Sequence, residues 1–328
     1  MDWRDLMKKL GKWVGYPLFF VFCLLLFAYW TFPYDRVRDF IIQEVENPRG
    51  PGDRRRPSGY QLEIVDLSPS WVTGVELTGV RLVKLPEEPE ERPVDVTFEE
   101  VNARVGLLAL LTGSTDLSFD LRVAGGTIAG ELQQSEDETH VAAQIENVNL
   151  RRLGILRGYF SLPLQGMVSG DIDLTVASEA ENTNGSVDLR IAGLKVGDGN
   201  AKLKIGDMRD GVTVEQIDAG NVALVAEVEE GVLSIERLQG RGPDLELDGA
   251  GDVRLVQPME RSRVNVLVRL AFSDEFKERS DRTRALFSLL DLQPRARAAK
   301  TDDGAIQLRL AGSFGNLNAR PAGREPAP

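Results

Sequence analysis

The chain has 328 residues, 42% of them hydrophobic, and a formal net charge of −12. That acidity argues against a nucleic-acid partner, whose phosphates need a basic surface. One cysteine and one histidine in the whole chain exclude disulfides and metal centres built on several Cys or His ligands.

Residues 13–33 read as a transmembrane helix after a cytoplasmic tail, residues 1–12. Between Lys12 and Asp35 no side chain is charged, and the run 14–32 is almost wholly apolar. Roughly 20 such residues span the ~30 Å hydrocarbon core of a bilayer. Trp13 and Tyr16 stand at one end and Tyr29, Trp30 and Tyr34 at the other, ring types that favour the headgroup region. The alternative is a cleaved signal peptide. The run ends in Phe27-Ala28-Tyr29-Trp30, however, without the small residues a signal protease needs. Positive-inside counting sets Arg4, Lys8, Lys9 and Lys12 against Arg36, Arg38 and Arg49. A long C-terminal domain translocates largely regardless of its charge, so the bulk is expected outside the cytoplasm.

Residues 34–58 are read as a juxtamembrane helix and linker. Val37, Phe40, Ile41 and Val45 recur at three- and four-residue steps, a helical period, for a helix that either lies on the membrane as a collar or plugs one end of the next domain. The stretch 48–58 carries Pro48, Gly50, Pro51, Gly52 and Pro57 around Arg54, Arg55 and Arg56 and reads as a loop with solvated arginines.

From residue 59 to 318 the period changes to 2. Apolar and polar residues alternate over 94–105, 117–123, 127–132, 140–150, 166–176, 186–191, 202–205, 212–217, 221–227, 232–238, 245–255, 264–272 and 305–311, the mark of half-buried strands. Glu230-Gly231 and Asn184-Gly185 are tight-turn pairs, so the fold class is mainly β and largely antiparallel. Short helical turns are expected over 106–111 and 150–160. A longer helix is expected over 273–291, with Ser273 as its N-cap and Pro294 beyond its end. The acidic stretch 86–93 and the run 135–139 read as loops. Residues 319–328, Pro-rich, are expected to be disordered.

Few residues offer catalytic chemistry. His140 is the only histidine, and no G-x-S-x-G elbow supplies a nucleophile for it. Gly125-Gly126 and Gly197-Asp198-Gly199 read as β turns, since no phosphate-cradling helix follows either. Asp171 and Asp173 alternate with Ile172 and Leu174 and share one wet strand face. Cys23 lies inside the bilayer run. No catalytic, cofactor-binding or metal-binding residue is assigned, no cofactor is expected, and a carboxylate hydrolase is the remote enzymatic alternative. Two strands each show one apolar face: Val222, Leu224, Ala226 and Val228 on one, and Val264, Val266, Val268 and Leu270 on the other. Such faces are either buried or bind something.

The order of features resembles a known family. After the apolar run come Phe32-Pro33-Tyr34, then Leu67-Ser68-Pro69-Ser70-Trp71 and Gly74-Val75-Glu76-Leu77-Thr78-Gly79-Val80. Next are the turn from Gly106 to Gly113, the Ala124–Gly130 hairpin, Pro163-Leu164-Gln165-Gly166, the 240–251 hairpin and Leu310-Ala311-Gly312-Ser313-Phe314-Gly315. The pattern resembles the GspN family of type II secretion systems and, more distantly, AsmA-like envelope proteins. The resemblance implies a single-pass inner-membrane protein of a Gram-negative cell, with a curved, AsmA-like periplasmic β domain. It implies no enzymatic activity. The expected role is a scaffold or interaction component that contacts other secretion-system subunits. The alternative is lipid binding or transfer in an apolar groove, for which the chain is shorter than the large AsmA-like proteins.

Overall fold

A computed structural model of the chain describes residues 16–328 except 21, 25, 28–29, 32, 49–54, 56, 71–73, 86–93, 106–114, 136, 154–161, 204–211, 257–260 and 315. Its first strands are β1 (Tyr60–Glu63), β2 (Asp66–Ser70), β3 (Gly74–Lys84), β4 (Val94–Val105), β5 (Thr115–Val123), β6 (Gly126–Gln134) and β7 (Glu138–Asn149). There follow β8 (Leu164–Ala177), β9 (Asn184–Val196), β10 (Lys202–Leu203), β11 (Val212–Thr213), β12 (Ile217–Glu229) and β13 (Val232–Arg241). The last are β14 (Leu245–Arg254), β15 (Arg263–Phe272), β16 (Ile306–Ser313) and β17 (Asn316–Pro321). One 15-stranded sheet takes them in the order β1-β3-β4-β5-β6-β7-β8-β9-β12-β13-β14-β15-β16-β17, with β2 beside β3, while β10 and β11 form a separate ribbon. The pairings are antiparallel throughout.

This meander follows from local turns. Ala124-Gly125 has φ of 53° and 79°, and Glu230-Gly231 has φ of 49° and 74°. Positive φ at both central residues matches the right-handed twist of the flanking strands. Asn184-Gly185 is not a turn but the start of β9. The link from β8 instead runs through a single 3₁₀ turn, Ala180–Asn182, and the Asn184 Oδ1 accepts the Glu230 N–H at 3.1 Å.

Helices pack on the sheet in two places, α1 on its first strands and the helices after β15 against β9, β12, β14 and β15. Helix α1 (Tyr34–Glu46) sets Tyr34, Val37, Ile41 and Ile42 against Leu62, Ile64, Leu67, Leu77 and Val80, so it plugs the first strands. Arg55 donates to the Gln43 and Asn47 carbonyls, both at 3.4 Å. This arginine of the expected solvated loop therefore caps the C-terminus of α1, where cations are favoured. The helix expected over 273–291 is two: α2 (Asp274–Glu278) and α3 (Asp281–Leu292). Ser273 caps the first as expected, but Ser280 sits extended at φ −148° and caps the second by accepting the Thr283 N–H. Pro294 does not merely end a helix. It opens α4 (Pro294–Ala299) at the first position, where its missing N–H costs nothing.

The tail also departs from expectation. Residues 319–321 lie in β17, paired to β16, and Ala322 is buried. Of the predicted membrane span, residues 16–20, 22–24, 26–27 and 30–31 are helical and Pro33 is the N-cap residue of α1, and the rest of 13–33 lies outside the described residues. No helix among the described residues is long and apolar enough to cross a membrane. The expected turn 106–111, the loop 86–93 and most of 150–160 also fall outside them; residues 150–152 form one 3₁₀ turn.

Candidate functional site

Side chains directly opposite one another in an antiparallel ladder share a face, so the registers can be read across the whole sheet. One row runs Val101, Leu121, Ile128, Ile145, Gly170, Leu189, Leu224, Leu238, Gly249, Val268, Leu308. The next row on the same face runs Ala103, Phe119, Gly130, Ala143, Ile172, Val187, Ala226, Ile235, Gly251, Val266, Leu310. Both rows are free of polar side chains from β4 to β16. The two apolar strand faces expected from sequence, on β12 and β15, thus belong to one continuous surface.

Bulges keep that surface apolar. Gly79 on β3 has φ 62°, Asn147 on β7 52°, Gly193 on β9 60° and Gly220 on β12 65°. Register shifts fall at Ile145/Val148, at Gly220/Val222 and, between the two rows themselves, at Ile235/Leu238 on β13. An extra residue in one strand re-aims the side chains beyond it and sharpens the local bend. Past Asn147, Val148 returns to the apolar side and is buried with Val96, Val123 and Ala124.

Glycines within the rows have another task. A Cβ at Gly130 would lie 2.2 Å from the Ala142 carbonyl oxygen and 2.7 Å from Phe119 Cζ, and one at Gly249 would lie 2.6 Å from Leu238 Cδ2. Each large side chain reaches over to the glycine of the neighbouring strand. The face is therefore smooth, and Phe119, Ile172, Val187 and Leu224 are half-buried rather than exposed.

At the α2–α3 end the face is closed by aromatic packing. Phe276 is fully buried, and Phe272, Phe276 and Phe287 stand with ring centroids 5.2–6.2 Å apart. Asp244, almost fully buried, locks α2 down: its Oδ2 accepts the Asp218 N–H at 2.9 Å and Arg279 Nη1 at 3.0 Å, while its Oδ1 takes Arg279 Nη2. Between this cap and α1, no helix among the described residues packs over Phe119, Ala143, Ile172 or Val187.

The opposite face is polar. A shallow concavity of about 710 Å³ is lined by the polar-face residues Arg104, Asp120, Glu131, Gln144, Asp171 and Asp173 around Ala129 and Ala142, and also by Phe119, Gly130, Ala143 and Ile172 of the row that alternates with them. Asp171 and Asp173 do share this face, and Asp171 stands directly opposite Asp188. His140 Nδ1 lies 3.2 Å from Thr175 Oγ1 and 3.8 Å from Asp173 Oδ1. Both contacts use the same ring nitrogen, whereas a catalytic triad needs its carboxylate and its nucleophile on opposite nitrogens. Gly125 lies in the β5–β6 turn, and beyond Gly197 the Asp198 Oδ1 accepts the N–H groups of Asn200 and Ala201, an Asx turn. Among the described residues no group of three or more His, Cys, Asp or Glu side chains could hold a metal.

Set beside models of known protein families, curated proteins and solved structures, the chain has no match. Sequence reasoning found the apolar faces of β12 and β15 but missed the central row through Phe119 and Ile172. Its signal was present in the alternation Leu117, Phe119, Leu121 and in Ile172, Leu174, Val176.

Proposed function

We propose that this protein is a single-pass inner-membrane protein of a Gram-negative envelope, with its β domain in the periplasm, and that the apolar sheet face holds lipid acyl chains. One observation carries the reading: apolar rows cross the sheet from β4 to β16 without a second layer over their middle among the described residues. An apolar surface of that extent is not normally left to water. An acyl chain matches a smooth face that offers no hydrogen-bonding side chain. The uncharged run 13–33 supports the anchor, and α1, which packs on the first strands, follows that run directly in the chain. The AsmA-like resemblance points the same way. The reading assigns no reaction, no cofactor and no metal.

The second reading is a scaffold subunit of a type II secretion system, in contact with other subunits. It is favoured by Val253, Val264 and Val266, which are buried by their own neighbours on the sheet face, as in a face that needs no ligand. Photocrosslinking separates the two. A photoreactive side chain at Ile172, on the apolar face, should capture acyl lipid in membranes, and one at the exposed Gln144, on the polar face, should not. Lipid captured at neither position, or equally at both, would leave the scaffold reading standing.

A further inference from the structure

The outer edge of β17 is self-complementary, and we propose that two copies of this chain pair there, edge to edge, into one doubled sheet. Among the described residues no strand pairs with that edge, and every residue of β17 is exposed. The opposite edge of the sheet is managed differently, being split into β1 and β2, broken by Pro69 and packed against α1. Bends, prolines and cover of this kind prevent strand addition; among the described residues β17 has no bulge and no proline before its last residue, Pro321, and α4 packs near it while leaving every one of its residues exposed.

The register fixes which groups face outward. Ala322 N–H bonds to the Gln307 carbonyl at 2.9 Å, and bonded and non-bonded pairs alternate along an antiparallel ladder. Asn316, Asn318 and Arg320 therefore bond to β16, through Ser313, Ala311 and Arg309. Leu317 and Ala319 point their N–H and C=O groups away from the sheet. Pro321, opposite Leu308, falls in the outward set, where its missing N–H costs the ladder nothing.

A two-fold axis at Asn318 satisfies this edge with itself. Leu317 then faces Ala319 of the second copy and exchanges both backbone bonds with it, and the symmetric pair does the same. Asn318 faces Asn318, and Asn316 faces Arg320, so no like charges meet. Apolar faces apolar and polar faces polar. The rows ending in Leu317 and Ala319 run directly into those of the second copy, and Leu317 and Phe314, 48% and 51% exposed, gain cover at the seam. The pairing depends on backbone and register alone, so it stands or falls independently of the lipid reading.

Cysteine cross-linking tests it on the full chain. With Cys23, the one native cysteine, changed to serine, Asn318→Cys places two thiols across a non-bonded pair whose Cα atoms stand ~4.5 Å apart, within disulfide reach. Oxidation should give a dimer of twice 36.2 kDa. Its yield should exceed that of Asn316→Cys or Arg320→Cys by about fivefold or more, since in neither does a cysteine meet its own copy. Adding Ala319→Pro, which removes an outward N–H, or Leu317→Lys, which places a charge on the edge, should reduce the Asn318→Cys dimer by about fivefold or more with an unchanged circular dichroism spectrum. Absence of the dimer, equal yields at the three positions, or a yield undiminished by both edge variants would overturn the proposal.

Discussion

Asp244 shows how one residue can hold an element in place. Its carboxylate is 4% exposed and binds both the Asp218 N–H and the Arg279 guanidinium, joining the sheet to α2. Asp244→Ala leaves a part-buried N–H and a half-exposed cation without their partner. The loss expected is on the order of 2–4 kcal/mol, the lower end reflecting solvent access to Arg279. Chemical denaturation of the variant measures it, and a loss below about 1 kcal/mol would mean that the ion pair is merely superficial. Residue types hide this role, because Pro243-Asp244 reads as turn chemistry. The glycines hide theirs for a related reason. Gly79 and Gly220 mark bulges at positive φ, while Gly130 and Gly249 make room for Phe119 and Leu238. Which task a strand glycine performs depends on the residue across the ladder, and register is a long-range property.

Strands were more legible than helices. Period-2 alternation located β4 at 94–105 to the residue, because a half-buried strand writes its two faces into successive positions. Residues 273–291 misled, since the apolar spacing runs on through Arg279-Ser280 while the Asp244 clamp and the Ser280 cap break the helix there. The tail misled through composition. Its prolines suggested disorder, yet Gln307, fully buried, donates to the Ala322 and Glu325 carbonyls at 3.0 and 2.8 Å, and Arg309 pairs with Glu325. The nearby loop gives a pH test. Asp303 is held down to about 2 by its hydrogen bond from Thr301 and then by that from Arg269. A carboxylate with a depressed folded pKa contributes stability that is fully present above its unfolded value of about 3.9 and lost as pH falls through the folded one. Asp303→Asn should therefore melt below the wild type near neutral pH. The two melting temperatures should converge as pH approaches about 2; a gap that persists there would remove the carboxylate as its cause.

At the scale of the whole molecule, antiparallel meander followed from short turns between alternating segments, and the sheet order confirms it from β3 to β9 and from β12 to β17. The continuity of one apolar face was not legible. It depends on bulges such as those at Asn147, Gly193 and Gly220 and on the β13 register shift between Ile235 and Leu238, and, among the described residues, on the absence of a helix over its middle, which alternation alone does not reveal. The apolar rows cross the eleven strands from β4 to β16, so the face extends roughly 50 Å at ~4.8 Å per strand.

That face is the central claim, and Leu224, half-buried in the middle of β12, is the place to test it. The decisive measurement is the acyl lipid that co-purifies with Leu224→Asp, quantified by mass spectrometry beside its melting temperature. If the face holds acyl chains, the wild type carries lipid and the variant loses most of it while still unfolding cooperatively, because a charge on an open face keeps access to water and avoids the full cost of burial. A wild type free of lipid, or a variant that retains its lipid, would contradict the account.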